Sequence, residues 1–514
     1  MSEKKYYFPE NVYNETFFSE WEKEYELSEN FPDISRLIRA DSNPKINSVV
    51  INPANSSSVS DSSKIVEIEG DNTFNILYHS TEDEKIHNVV FTDFFNINED
   101  IKQNSDNLIA TAKIFCVFMS CKVISKRKVY IKAKNKITLS VINNKSFNIP
   151  SIDSQNNILH FNVYSFNTQT FLPPSTISFN LEESLTVDGT YPPIERIVFT
   201  SVRIIPLDLV KSSGSATLNT TVIFKVFYES QNRYYLFSRS IPVSLTLEDA
   251  DINENTLLYY FLSIINQSAT VEMDNYGEER IIKFSYSPQI NLFKVKETSE
   301  ELPTDVFSET EYLETENSMA SFEELIGVIQ RPFTVEKIFE IPDIEFNEIY
   351  DSSAVIDVEK FESTNEGKNI TGICGISVLG LTDKGIESAN FNVNFSQFFP
   401  EIKDDYISEC FVYPIQTSAN ISGRNMISFR VSANATIRQY KKKEYNLLSS
   451  FSSSGKREEK DKSCITLYYP SYNQSLWDIS KEYGIAPNII AKENPHSFSG
   501  EGFFISKSKN IFIP

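Results

Sequence analysis

Pro192-Pro193-Ile194-Glu195-Arg196-Ile197-Val198, followed by the strand-like run Val222-Ile223-Phe224-Lys225-Val226-Phe227-Tyr228, is the stretch on which the fold turns. The run is rich in β-branched and aromatic residues and carries side chains to alternate faces, which is the mark of a β-strand and not of a helix. The same pair of features stands twice more. Pro32-Asp33-Ile34-Ser35-Arg36-Leu37-Ile38 precedes Asn72-Thr73-Phe74-Asn75-Ile76-Leu77-Tyr78, and Pro342-Asp343-Ile344-Glu345-Phe346-Asn347-Glu348-Ile349 precedes Cys374-Gly375-Ile376-Ser377-Val378-Leu379-Gly380-Leu381. The runs end at Tyr78, Tyr228 and Leu381, a period of about 150 residues, which is the size of one domain.

Further landmarks keep that period. Phe91-Thr92-Asp93-Phe94-Phe95, Ile241-Pro242-Val243 and Phe395-Ser396-Gln397-Phe398-Phe399 follow the three runs. Later in each unit comes another strand: Arg127-Lys128-Val129-Tyr130-Ile131-Lys132-Ala133, Arg280-Ile281-Ile282-Lys283-Phe284-Ser285, and Asn425-Met426-Ile427-Ser428-Phe429-Arg430-Val431. Alternation with one solvated face predicts mostly β, antiparallel units, three in tandem and sandwich-like. The expected extents are 1–150, 174–297 and 333–448. Asn55-Ser56-Ser57-Ser58 is expected as a long hairpin loop inside the first.

In the Pro-Asp-Ile segment, the strand ending in Leu-Tyr, the Phe-Ser-x-Phe segment and the closing Arg-led strand, these units resemble the SPOCS domain of spore-coat and spore-morphogenesis proteins of clostridia and bacilli. The third unit matches through Phe395-Ser396-Gln397-Phe398 and the strand pair 411–419 and 426–435. The second is divergent, with Arg239-Ser240-Ile241-Pro242-Val243 in place of the Phe-Ser-x-Phe segment.

The last fifty residues follow a different rhythm. In Ser475-Leu476-Trp477-Asp478-Ile479-Ser480-Lys481-Glu482-Tyr483-Gly484, positions 476, 479, 480 and 483 share one helical face, Ser475 can cap the start and Gly484 can release the end. Pro487 opens a second helix that Asn494-Pro495 stops. Ile465–Tyr469 and Asn510–Ile513 read as strands, so the order is strand, helix, helix, strand. Leu476-Trp477, Ile479-Ser480, Tyr483, Asn494-Pro495 and Ile513-Pro514 make 464–514 similar to a LysM domain. Where that family carries the Gly-Asp-Thr that touches N-acetylated glycans, this chain has Asn473-Gln474-Ser475. The expected ligand groove is Asn473, Gln474, Ser475, Trp477, Ile485 and Asn494, with Trp477 pointing sideways and Ile485 on the rim.

Composition bounds what the chain can do. Of 514 residues, 40% are hydrophobic and 13% aromatic, enough for packed cores. A net charge of −22 argues against nucleic-acid backbones and anionic lipid as partners. No apolar run approaches the roughly 18 residues of a membrane span, so no membrane insertion is expected. Met1–Tyr7 has no apolar stretch after its lysines, and the chain reads as cytosolic when made. Five cysteines and four histidines fall in no metal or triad pattern, so no catalytic residue, metal or cofactor is expected. Residues 298–332, crowded with Asp and Glu, read as an extended, self-repelling linker, and 449–463, rich in Ser and then charged, read as a leash for the tail.

The combined resemblance implies a non-catalytic spore-coat scaffold. Its LysM domain and neighbouring β domains would bind a basement-layer coat protein, the SpoIVA-like ATPase, at the forespore surface in the mother-cell cytoplasm. Other coat proteins or self-association are further partners it allows. The alternatives are a peptidoglycan-binding wall protein held by the tail, disfavoured by Asn473-Gln474 in the glycan loop, and a wall hydrolase, for which the expected catalytic constellation is lacking.

Overall fold

A computed structural model describes residues 3–53, 63–103, 105–152, 158–342, 344–364, 366–403, 406–458, 466–469, 474–495, 497–499, 504–505 and 510–514. The chain is mostly β, in several antiparallel sheets. The first set of strands is β1 (Glu3–Glu26), β2 (Ile34–Pro53), β3 (Lys64–Ser80), β4 (Ile86–Ile101), β5 (Leu108–Ser125) and β6 (Lys128–Pro150). Sheet β1-β6-β5 faces sheet β2-β3-β4 across a core that includes Tyr25, Phe74, Ile76, Val129 and Ile131. The expected Asn55–Ser58 loop falls outside the described residues.

The same order returns twice. The second set holds β7 (Leu159–Ser178), β8 (Leu181–Thr186), β9 (Arg196–Ser212), β10 (Ser215–Ser230), β11 (Arg233–Glu248), β12 (Thr256–Met273) and β13 (Glu279–Ser308). Its sheets are β12-β13-β7 and β11-β10-β9, with β7 and β8 lying end to end along β13 because the first strand breaks at Phe179-Asn180. The third set holds β14 (Glu311–Glu340), β15 (Phe346–Thr364), β16 (Gly367–Thr382), β17 (Gly385–Phe399), β18 (Ile407–Gly423) and β19 (Met426–Lys456), in sheets β14-β19-β18 and β15-β16-β17.

The landmarks that repeat in sequence meet in space. Tyr78 Oη donates to the Pro32 carbonyl at 3.0 Å, and Tyr228 Oη donates to that of Pro192 at 3.0 Å. Arg127 reaches the same turn, donating to the carbonyls of Ser28 at 2.9 Å and Phe31 at 3.1 Å, while Arg280 donates to Tyr191 O at 2.8 Å. Ile34 and Ile194, both buried, receive the backbone of the arginine-led strand through Ile34 N to Lys126 O and Ile194 N to Glu279 O. The Pro-x-Ile turn, the tyrosine and the arginine thus form one clasp that ties one sheet to the other, and the tyrosine and arginine side chains satisfy turn carbonyls that lie outside the strands. In the third set Gly380 replaces the tyrosine, and a Cβ there would lie 2.4 Å from Glu348 O and 2.6 Å from the Phe346 ring, which fills the place instead.

The three sets converge on shared cores. Leu77, Phe227 and Leu379, at equivalent positions of the three middle strands, bury against one another together with Ile38, Val198, Ile86 and Ile386. A register shift falls at the same point of each ladder, between Leu37 and Arg39, at Phe227/Tyr228, and between Ile349 and Asp351. The extra residue of each bulge is Ile38, Val198 or Tyr350, and each turns into the shared core, the re-aiming that bulges produce. Their neighbours Arg39, Phe199 and Asp351 meet as well. Arg39 lies over the Phe199 ring at 5.0 Å and its Nη1 is 3.2 Å from Asp351 Oδ2, while Lys225 Nζ is 2.7 Å from Asp351 Oδ1. One buried carboxylate therefore joins all three sets. Burial raises the Asp351 pKa, but Lys225 and Arg39 together outweigh it and hold the carboxyl below its usual value.

This arrangement corrects the expected linkers. Residues 298–332 lie in β13 and β14, with Leu302, Ala320 and Phe322 fully buried against Phe8, Ile149, Phe166 and Leu447. The end of the acidic run faces lysines across the ladder, where Glu323 and Glu324 lie opposite Lys442 and Lys441 and Glu324 forms an ion pair with Lys443 at 2.5 Å. The Ser-rich run likewise continues β19 to Lys456, pairing with the start of β14, and Ser449 Oγ donates to Glu316 O at 2.9 Å. Strands of the second set extend from Leu159 to Ser308, beyond the expected 174–297, and those of the third from Glu311 to Lys456, beyond 333–448. No helix among the described residues is long and apolar enough to cross a membrane.

Candidate partner-binding module

After the sheets come β20 (Thr466–Tyr468), α1 (Leu476–Tyr483), α2 (Pro487–Glu493), the two-residue strands β21 (Phe498–Ser499) and β22 (Phe504–Ile505), and β23 (Ile511–Ile513). Ser475 caps α1 in a reciprocal box. Its Oγ accepts from Asp478 N at 3.2 Å, and Asp478 Oδ2 accepts from Ser475 N at 2.9 Å, so two donors that the first turn leaves free are satisfied. Gly484 ends the helix at φ 64°, in the left-handed region, and Pro487 opens α2. Leu476, Ile479, Ile490, Ile511 and Ile513 make the core, with β20 and β23 paired from Thr466–Ile513 to Tyr468–Ile511.

The residues expected to line a groove are spread over different tasks. Asn473 lies outside the described residues. Gln474 accepts from Tyr468 Oη at 2.8 Å, and Ser475 is the cap. Asn494 is buried and staples the chain end, donating to Ile490 O at 2.8 Å and Phe512 O at 2.7 Å and accepting from Phe512 N at 2.8 Å. Ile485 is half-buried at the margin of the module core, with Tyr468, Tyr483 and Ala491 as the other partly buried residues packed there. Asn494→Ala is expected to destabilise the module by about 2–3 kcal/mol, since it leaves a buried amide and carbonyls without partners. Loss of the module's amide-exchange protection, with the sheets unaffected, is the check.

Trp477 does point sideways, and it is already engaged. On α1, Trp477 and Lys481 stand four residues apart on a second face, away from the core side of Leu476 and Ile479. That face lies on the end of β13. Trp477 Nε1 donates to Asp305 Oδ2 at 2.9 Å, and Lys481 Nζ donates to Asp305 Oδ1 at 2.6 Å and Oδ2 at 2.8 Å. The indole meets the Phe307 ring edge-on, with centroids 5.1 Å apart. Arg457, which follows β19, donates to Lys481 O at 2.7 Å and Glu482 O at 3.1 Å, a cation at the negative end of the helix. A Cβ on Gly484 would lie 2.9 Å from Arg457 Cδ, so glycine is needed there for the clamp as well as for the turn. The module is thus seated on the sheets through these contacts, while residues 459–463 of the expected leash lie outside the described residues. Composition could not signal this, because Asp305 and Phe307 belong to the stretch that reads as linker.

Elsewhere, burial pushes the Cys121 thiol up to about 12, Cys374 to about 11 and Cys410 to about 12, so these are protonated thiols and not nucleophilic thiolates. Cys464 and His496 lie outside the described residues. No group of three or more His, Cys, Asp and Glu among the described residues is placed to hold a metal. No known protein family, curated protein or solved structure matches the chain.

Proposed function

We propose that this chain is a non-catalytic scaffold of spore-coat assembly, similar in design to the clostridial coat-morphogenesis protein SipL. In this reading three tandem SPOCS-type β-sandwich domains are followed by a LysM-type domain. The chain sits at the forespore surface in the mother-cell cytoplasm and ties the coat to a basement-layer ATPase of the SpoIVA kind. The observation that supports it is the threefold return of one strand order, closed in the first two sets around the same Pro-x-Ile turn and followed by a capped strand–helix–helix–strand module. The module carries a helix face bearing an indole and an ammonium, covered here by Asp305 and Phe307, whose chemistry suits a protein segment, and the chain's strong acidity disfavours polyanions as partners.

Purified full-length chain is expected to retain the purified ATPase and to sediment only weakly with insoluble peptidoglycan, since the glycan loop reads Asn473-Gln474-Ser475. Sub-micromolar binding to walls with no retention of the ATPase would replace the coat reading by the wall-binding one.

A further inference from the structure

The second face of α1 carries more than an anchor. Trp477 and Lys481 place an indole N–H and an ammonium so that both address one carboxylate, and the indole edge meets an aromatic ring two residues beyond that carboxylate. Asp305 and Phe307 can supply the pair because residues two apart in a strand project to the same side. A bulge between Pro303 and Asp305 turns Asp305 toward the module. Asp305 is also braced, its Oδ1 accepting from Val306 N at 2.9 Å.

We infer that this face is a reader of extended acidic-x-aromatic segments, occupied within the chain by Asp305-Val306-Phe307, and that a protein partner recruited through Trp477 presents the same pair and displaces the internal copy. The inference rests on the scaffold reading for the partner's identity, but not for the chemistry of the face. One observation favours exchange over a permanent joint, and covalent connection accounts for the masking. The Lys481–Asp305 pair keeps 36% and 25% of its side-chain surface in water, and partly exposed ion pairs add little net stability. The internal segment also competes from within the same chain, at an effective concentration that covalent connection raises, so it can mask the face without binding it tightly.

The test uses the full chain in a Trp21→Phe background, which leaves Trp477 as its sole tryptophan. The probe is the labelled peptide Glu-Leu-Pro-Thr-Asp-Val-Phe-Ser-Glu, the sequence of residues 301–309. The unaltered face should ignore the peptide. Asp305→Asn should shift Trp477 emission to the red and bind the peptide at least about tenfold more tightly, and Lys481→Glu added to it should abolish that binding. A peptide with Asn in place of its Asp should bind about tenfold more weakly, the loss expected for a charge-assisted hydrogen bond. Equal peptide binding with and without Asp305→Asn, or none by the Asp305→Asn chain while its thermal melt matches the parent's, overturns the inference. In a parallel arm the purified ATPase should bind the Asp305→Asn chain more tightly than the parent. If the peptide arm succeeds and no chain binds the ATPase, the reader stands and the coat assignment falls. If every chain binds the ATPase equally and the peptide arm fails, the coat assignment stands and the reader falls.

Discussion

Residues 333–448 produced alone will give no cooperative thermal transition, although that span contains every repeat landmark of the third unit. It omits Glu311–Pro332, which pairs residue by residue with Asn434–Lys456 along β19. Without it, one edge of β19 is left unpaired from Asn434 onward, and β14 is reduced to its last eight residues, Phe333–Glu340. The cut also exposes Leu379, Ile386, Tyr440 and Leu447, all buried where the three sets meet. Returning each such side chain to water costs about 1.5–3 kcal/mol, so four together rival the roughly 5–15 kcal/mol that is the whole stability of a typical domain. Far-UV circular dichroism with strand content, an absent near-UV signal and a broad melt are expected. A sharp melt with near-UV structure would show that the shared cores are dispensable.

Asp351→Ala will destabilise the full chain by about 3–5 kcal/mol at neutral pH, the cost of leaving buried cations without their counter-charge. Asp351 is 7% exposed, and its carboxylate is held by Arg39 from the first set and Lys225 from the second. The pH dependence has a definite sign. Because the folded carboxyl titrates below its ordinary value, its contribution is complete above about pH 5 and is lost as pH falls through the folded value, below about pH 4. The gap between Asp351→Asn and the parent, followed by chemical denaturation, should therefore be constant from pH 8 to about 5 and close on acidification. A gap that widens on acidification, or an Asp351→Ala chain within about 1 kcal/mol of the parent at pH 7, would mean that this carboxylate does not hold the sets together.

The local elements were legible because their causes are local. Alternation in Val222–Tyr228 specifies a strand, Ser475 with Asp478 specifies a helix start, and Gly484 and Pro487 specify an end and a beginning; each works through neighbours within a few residues. The period of the repeat was legible too, since the same clasp of proline, tyrosine and arginine had to be written into the first two sets.

What the sequence by itself determined, then, is strand character, the return of one strand order and the capped helices of the tail. The tertiary structure alone decided where the units stop and what they touch. Residues 298–332 read as a repelling linker only while their counter-charges were unknown, and Lys441, Lys442 and Lys443 answer them from over a hundred positions away. Trp477 read as open to a partner for the same reason: the carboxylate and ring that cover it sit at Asp305 and Phe307, on a strand brought there only by folding. Periodicity reports which face of an element is apolar, because that depends on the element's own geometry. Which charge or ring meets that face depends on long-range packing, and a linear pattern carries no record of it.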